Sequence, residues 1–430
     1  MKTTVAFQRC SAIFHEDTQT IYAVLKKEIR NGRMGGSIIF VVGTRPDALK
    51  LVPVYTKLRQ LGAPCLLYAT YQHRDLLDDV LNFFDVVPSH TIQIMQSSQT
   101  LAHIASSVLN ASFDYFSSCK PSMIVVQGDT SSSFAAALAA FYLAIPVAHV
   151  EAGLRTGDIQ APFPEEANRR FITTISSLHF APTATNMLNL LHDGVDQQSI
   201  FCVGNTIVDT LFSIKQKIDR GELPLSPSTQ KVITRCRQEG KKLVLFTMHR
   251  RESCEHGVAR ILDAIIKSAR QHPNLIFFFA THPNPKIQKL IALSEIQKIP
   301  TIVCSAPIAY HDLIGVLSAA AFVITDSGGI QEEATALGKK VLVLREKTER
   351  VEAVWEDMAI LVGTNEKALM HGIKTLCNQT SCAQENFIYG DGSASDRIAK
   401  VLVHYGNFSP QHTSPSHLQP VQSVHTPIRM

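Results

Sequence analysis

The sequence predicts an α/β protein built from two doubly wound, Rossmann-like domains that face a cleft. Three observations predict it. Short, near-continuous apolar runs alternate with amphipathic helical stretches, as in parallel sheets covered on both faces. A Pro- and Ser-rich stretch without periodicity, Gly221 to Gln230, splits these units into two sets. Polar clusters end several of the apolar runs, which is where doubly wound sheets bind ligands.

The elements follow in order. Residues 1–34 precede any strand–helix pattern and read as an N-terminal extension, with Met34 an alternative start. "SIIFVVGTRPDALKLVPVYTKL" opens the first domain, 35–220, as strand, Gly-containing turn and helix, with Pro46 in the first helical turn. "SMIVVQGDTSSSFAAALAAF" repeats that unit. The run from Ser133 to Val150 approaches membrane length, but Pro146 and His149 interrupt its end. It reads as a buried helix followed by a buried strand. Residues 221–240 form the linker region. The second domain, 241–380, contains "KLVLFTMHRRES", "LIFFFATHPNP", "AFVITDSGGIQEEATAL" and "KVLVLREKTER", each with one strand. Segment 381–406 is expected to pack back on the first domain. The tail, 407–430, is Pro/Ser/His/Gln-rich and is expected to be disordered, with His412, His417 and His425 solvated rather than metal-bound.

Composition bounds the function. The chain has 430 residues, 45% hydrophobic and 18% charged, enough for a sizeable core. A net charge of +4 is too mild to imply nucleic acid or an anionic membrane, and it suits an acidic small molecule. The nine cysteines are scattered singly, which reads as reduced thiols in a cytoplasmic protein. The N-terminus lacks the apolar core and cleavage site of a signal peptide.

The most concentrated charge is in "HVEAGLRTGDIQAPFPEEANRR", His149 to Arg170. Glu151, Asp158, Glu165 and Glu166 share it with Arg155, Arg169 and Arg170. In "TDSGGIQEE", Ser327, Gly328 and Gly329 stand immediately before a helix. Small residues there let backbone N–H groups approach a phosphate. A tight turn with an N-cap serine explains the same residues equally well. Glu332 and Glu333 are expected in the first turn of that helix, where a carboxylate is suited to accept both ribose hydroxyls. His282 lies in a Pro-rich loop at a strand's end and is a candidate site residue, whereas His149 and His179 read as satisfied core histidines. No G-x-G-x-x-G, no P-loop and no metal-ligand spacing occurs. Neither a cofactor nor a metal is expected.

Taken together, "GTRPDALKLVPV", "GDTSSSFAAALAAF", "PVAHVEAGLRTGD", "PFPEEANRR", "VGNTIVDTL", "HRRES", "TDSGGIQEEATALGKKVLVLREKTER" and "YGDGSASDRI" resemble the non-hydrolysing UDP-N-acetylglucosamine 2-epimerases. The match runs in order from about residue 38 to 400. It departs from the family pattern at Asp47, Tyr71, Pro283 and Val351 and in the lead-in to "YGDG". Tyr71 adjoins Gln72–Asp75, the region of a second, regulatory UDP-GlcNAc site in some bacterial members.

The resemblance implies a GT-B-like fold. It implies Asp129, Glu151 and Glu165 as acid–base carboxylates, with Arg155 and Arg169 orienting or neutralising them. It places Arg45, Lys50 and His282 beside the sugar and diphosphate, with His282 in the catalytic set. Ser327, Gly328, Gly329 and Glu333 would then hold UDP. The implied ligands are UDP-GlcNAc, UDP-ManNAc and UDP, and the implied assembly is a homodimer. Clustered like charges, desolvated on closure, are expected to raise a carboxylate's pKa toward working pH.

The chemistry is consistent with that residue set. Carbon 2 of an N-acetylhexosamine is not adjacent to a carbonyl. Inverting it needs either oxidation of a neighbouring hydroxyl by a nicotinamide or departure of the anomeric phosphate to leave a glycal. The missing nicotinamide fingerprint favours elimination. The competing readings are a hydrolysing relative, an epimerase for another UDP-2-acetamido sugar, a GT-B glycosyltransferase and a catalytically silent UDP-sugar sensor.

Overall fold

A computed structural model describes residues 36–72, 74–94, 100–248, 255–281, 285–379 and 385–406. The expectations for residues 1–34, for His282 and for the 407–430 tail lie outside the described residues.

The chain opens with β1 (Ile38–Val42), α1 (Arg45–Leu61), β2 (Cys65–Ala69), α2 (Arg74–Phe83) and β3 (His90–Thr91). It continues through α3 (Leu101–Cys119), β4 (Met123–Gln127), α4 (Ser131–Tyr142), β5 (Val147–Val150) and α5 (Glu165–Ile175). The first half closes with β6 (Leu178–Ala181), α6 (Ala184–His192), β7 (Ile200–Cys202) and α7 (Thr206–Asp219). Helix α8 (Pro227–Gln238) leads into β8 (Lys242–Thr247), α9 (Glu255–Gln271), β9 (Leu275–Ala280) and α10 (Pro285–Leu293). Then come β10 (Ile302–Ser305), α11 (Tyr310–Ala319), β11 (Ala320–Thr325), α12 (Gly328–Ala336) and β12 (Lys340–Val343). The last elements are α13 (Val351–Trp355), β13 (Ala359–Leu361), α14 (Glu366–Asn378) and α15 (Ala394–Gly406).

Both sheets are parallel and doubly wound. The first has the order β3-β2-β1-β4-β5-β6-β7 and the second β10-β9-β8-β11-β12-β13. Strand order reverses between β1 and β4 in one sheet and between β8 and β11 in the other, and ligands bind beyond such reversals. The apolar runs form the strands because both sheet faces are covered. Phe277, Phe278 and Phe279 of β9 point alternately to opposite faces, yet each is at most 2% exposed.

The two halves share a core. Helix α7 of the first half packs against α11 and α12 of the second, and α15 returns to pack on α1 and α7. The start of α15 is capped from a distance, as Asp209 on α7 accepts the Ala394 and Ser395 N–H groups at 3.2 and 2.7 Å.

Two local expectations need correction. The aperiodic stretch 221–230 contains the start of α8, because Ser226 caps the helix and Pro227 occupies its first turn. Glu332 and Glu333 fall in the second turn of α12, because Ser327 is the N-cap and Gly328 already the first helical residue.

Candidate active site

Each half aims the carboxyl ends of its strands at a shared polar junction. Beyond β1, Gly43 and Thr44 turn into α1, where Asp47 accepts the Gly43 and Thr44 N–H groups at 3.0 and 2.9 Å. That closed turn holds the helix whose buried face carries Lys50. Beyond β4 comes Asp129, and immediately beyond β5 comes Glu151. Glu151 has φ +65, a left-handed conformation that costs a non-glycine residue about 1–3 kcal/mol and persists only where surroundings enforce it.

The surroundings of Glu151 do enforce it. Lys50 Nζ lies 2.6 Å from Glu151 Oε1, and the Gln127 amide donates to Oε2. The Asn205 amide, just beyond β7, donates to Oε1 at 2.8 Å. From the second half, Arg350 brings its guanidinium to 3.6 Å from the same oxygen. Burial pushes the Glu151 carboxyl up, but Lys50 and Arg350, with the hydrogen bonds, outweigh it and hold the group below the usual carboxylate range. The expected upward shift is therefore corrected for Glu151, since its near neighbours include two cations. Burial alone lowers Lys50, and Glu151 with Glu332 reverses that, so both partners stay charged.

The shift does occur in the second half. Glu332 is pushed up to about 6 by burial, with Arg350 opposing and Glu151 adding to the rise. Its Oε1 accepts from Arg350 Nε at 3.0 Å and its Oε2 from Asn205 at 2.9 Å. Glu333 is pushed up to about 7 by burial, against the Tyr310 hydroxyl that donates to it and the charge of Arg45. The Arg45 guanidinium lies over the Tyr310 ring, 5.4 Å from its centroid.

The remaining predicted residues divide. Arg169 binds Asp129 Oδ2 through Nε at 3.0 Å and Nη2 at 2.5 Å, so this arginine does neutralise one of the three carboxylates. Arg155 bonds instead to Asp193 at 2.8 Å and Thr173 at 3.0 Å. Glu165 is the first residue of α5 and is half-buried. Its neighbour Glu166 is fully buried and takes Arg169, Arg170 and the Thr156 N–H at 3.2, 3.0 and 3.1 Å. His149 and His179 bond backbone carbonyls, of Gly128 and Thr173, at 2.8 and 3.0 Å. Burial lowers the His149 pKa to about 3, so it stays neutral.

At the α12 N-terminus, Ser327 Oγ accepts the Ile330 N–H at 3.5 Å. A Cβ on Gly328 would lie 2.8 Å from Arg350 Cζ, whereas Gly329 has nothing within 4 Å of that position. The helix end thus offers backbone donors, an open side and a guanidinium together, which suits an anion. A cavity of about 290 Å³ opens nearby between Thr156 and Pro162 of the first half and Asp326, Arg345 and Glu349 of the second. A second, of about 480 Å³, lies around Arg260 and Asn365, and neither cavity is lined by a predicted site residue.

Sequence reasoning missed Gln127, Asn205, Tyr310, Glu349 and Arg350 as site residues. Arg350 carried a signal, the charged "REKTER" run beyond a strand; Tyr310 carried none. Among the described residues, no group of three or more His, Cys, Asp or Glu side chains is placed to hold a metal ion. No described helix is long and apolar enough to cross a membrane.

Two doubly wound parallel sheets whose strand ends meet at one polar junction make a GT-B-like fold, the architecture of nucleotide-sugar enzymes. Residues 59–403 match the UDP-N-acetylglucosamine 2-epimerase family model, and the chain belongs to that family. It is 38% identical to the UDP-N-acetylglucosamine 2-epimerase of Yersinia pestis over 375 residues, 86% of this chain and 98% of that protein. The Neisseria meningitidis UDP-GlcNAc 2-epimerase bound to UDP-GlcNAc superposes with a TM-score of 0.78 at 34% identity, covering 86% of this chain and all of that one. The Methanocaldococcus jannaschii enzyme in complex with UDP-GlcNAc and UDP gives 0.76 at 29% identity, covering 86% and 99%.

Proposed function

We propose that the protein interconverts UDP-GlcNAc and UDP-ManNAc by eliminating UDP to a 2-acetamidoglucal and adding it back, without net hydrolysis. The observation that carries this reading is the Glu151 carboxylate, buried yet held ionised by Lys50 and Arg350. A carboxylate shielded from water, beside the cations placed to take the diphosphate, can exchange a proton with carbon without losing it to solvent.

A carboxylate takes the C2 proton while the C1–O bond breaks, UDP leaves with the bonding electrons, and C1=C2 forms. A carboxyl on the other face then returns a proton to C2, and the UDP oxygen re-forms its bond to C1. Asp129, Glu151 and Glu165 supply the acid–base groups. Arg45, Lys50 and Arg350 balance the leaving diphosphate, and Arg169 holds Asp129. Ser327, Gly328 and Gly329 cradle phosphate at the α12 N-terminus, and Glu333 takes the ribose hydroxyls. His282 joins the catalytic set by family resemblance alone.

In this reading 35–220 is the acid–base domain and 241–380 the nucleotide domain, in a cytoplasmic homodimer. That relatives have been seen with UDP-GlcNAc and with UDP supports the ligand assignment.

Proton NMR of UDP-GlcNAc with the protein in deuterium oxide tests the path. The expected product is UDP-ManNAc carrying deuterium at C2, with recovered UDP-GlcNAc gaining deuterium as the equilibrium cycles. Bridging 18O that scrambles into non-bridging positions of UDP would mark C–O cleavage. C2 hydrogen fully retained in the epimerised product, or free N-acetylmannosamine as the main product, sinks the proposal.

A further inference from the structure

The "VGNT" motif beyond β7 has no part in the reaction described above, yet its asparagine sits at the centre of the junction. Asn205 Oδ1 accepts the Ile207 N–H at 3.2 Å, capping α7. That bond fixes which end of the amide is nitrogen. Its Nδ2 then points at two carboxylates, Glu151 Oε1 at 2.8 Å and Glu332 Oε2 at 2.9 Å. The two hydrogens on Nδ2 match the two acceptors. Asn205 also donates its own N–H to the Tyr389 carbonyl at 2.6 Å, in the segment returning from the second half. The side chain is only 2% exposed, so water does not substitute for these bonds.

We propose that Asn205 is a positioning residue: its amide fixes the orientation of Glu151 and joins it to Glu332 on the nucleotide-holding half. The inference rests on Glu151 being an acid–base group. Without the amide, Glu151 Oε1 keeps Lys50 on α1 and the more distant Arg350 beyond β12, and the two buried carboxylates face each other with one shared donor fewer. An ionised Glu151 then costs more, and its geometry toward carbon 2 loosens.

Asn205→Ser isolates the effect, because serine caps a helix about as well as asparagine. Its hydroxyl is too short to span both carboxylates. The expected result is a kcat about tenfold lower or worse, the scale of a misplaced reacting group, with Kd for UDP within about threefold of wild type. The limb of the kcat–pH profile that reports Glu151 should move to higher pH by about half a unit or more, whichever role Glu151 plays. The melting temperature should stay near that of wild type.

Combining Asn205→Ser with Glu332→Gln tests the join. The double variant should lose less than the product of the two single losses, since both remove the same bridge. An Asn205→Ser enzyme with wild-type kcat and pH profile overturns the inference. So does a loss that tracks a fallen melting temperature and vanishes on cooling, or fully multiplicative losses in the double variant. Wild-type protein that does not epimerise UDP-GlcNAc at all would instead remove the reading on which the inference rests, and the inference with it.

Discussion

Gly328→Ala is the sharpest test of the nucleotide end of the site. Gly328 is the first residue of α12 and does not have a positive φ, so alanine there meets no backbone strain. The added methyl, however, would sit 2.8 Å from Arg350 Cζ and 2.9 Å from Nη1. Ordinary contacts begin near 3.4 Å, so the guanidinium has to retreat by roughly half an ångström. It is poorly placed to do so, being pinned by Glu332 at 3.0 Å and by Glu349 and 93% buried at the side chain. Disturbing one hydrogen bond to a charged group costs about 1.5–3 kcal/mol, which is roughly ten- to hundredfold in affinity. Calorimetry should therefore show UDP binding weakened by about that factor, and steady-state NMR should show KM for the UDP-sugar raised by a similar one. The melting temperature should fall by a few degrees, because the crowded guanidinium is strained in the folded state with or without UDP. Wild-type UDP affinity in Gly328→Ala, with wild-type turnover, would show that Arg350 and the α12 N-terminus do not form the phosphate cradle.

Asp129→Asn, Glu151→Gln and Glu165→Gln should each cut turnover by about a hundredfold or more while calorimetric UDP affinity persists, and collapse of UDP affinity with intact turnover would refute the assignment. Glu333→Gln should raise the melting temperature at pH 8 and leave it unchanged near pH 4. The Glu333 pKa is raised to about 7, so the folded state resists ionisation and loses stability as pH climbs from the unfolded value near 4.5 to about 7. A variant less stable than wild type at pH 8 would show that the Tyr310–Glu333 pair contributes more than the burial of Glu333 costs.

The fold class was legible because its physics is local. A strand buried on both faces must be apolar along its length, and β9 is so throughout, while β8 and β11 are so but for Lys242, Thr247 and Thr325 at their ends. Helix α4 and strand β5 were separable by Pro146, which neither continues. Helix α8 was hidden because its cap and first turn, Ser226 and Pro227, are the same residue types that mark a linker. Gly-Gly after a strand reads as loop, which puts the start of α12 too late along the chain. The Ile330 N–H donated to Ser327 Oγ marks that the helix has already begun.

The site was legible as a set of residues and not as a set of contacts. Lys50 and Glu151 stand 101 positions apart, and Asn205 and Glu332 127 apart, so composition and periodicity do not pair them. The consequence reaches the chemistry. Glu151 and Glu332 are the same residue type, both buried, and share Arg350 and Asn205. Yet one carboxyl lies below its usual range and the other rises to about 6. The difference is Lys50. It makes a direct 2.6 Å ion pair with Glu151 and reaches Glu332 only through its longer-range field. Burial raises both groups, and the direct cation reverses the sign for one alone. The pair that reverses the sign lies within the first half, α1 against the end of β5, whereas the Glu151 charge that adds to the rise of Glu332 reaches it across the junction. The state of Glu332 is therefore set in part by how the halves pack together, and the second half's sequence does not carry it by itself.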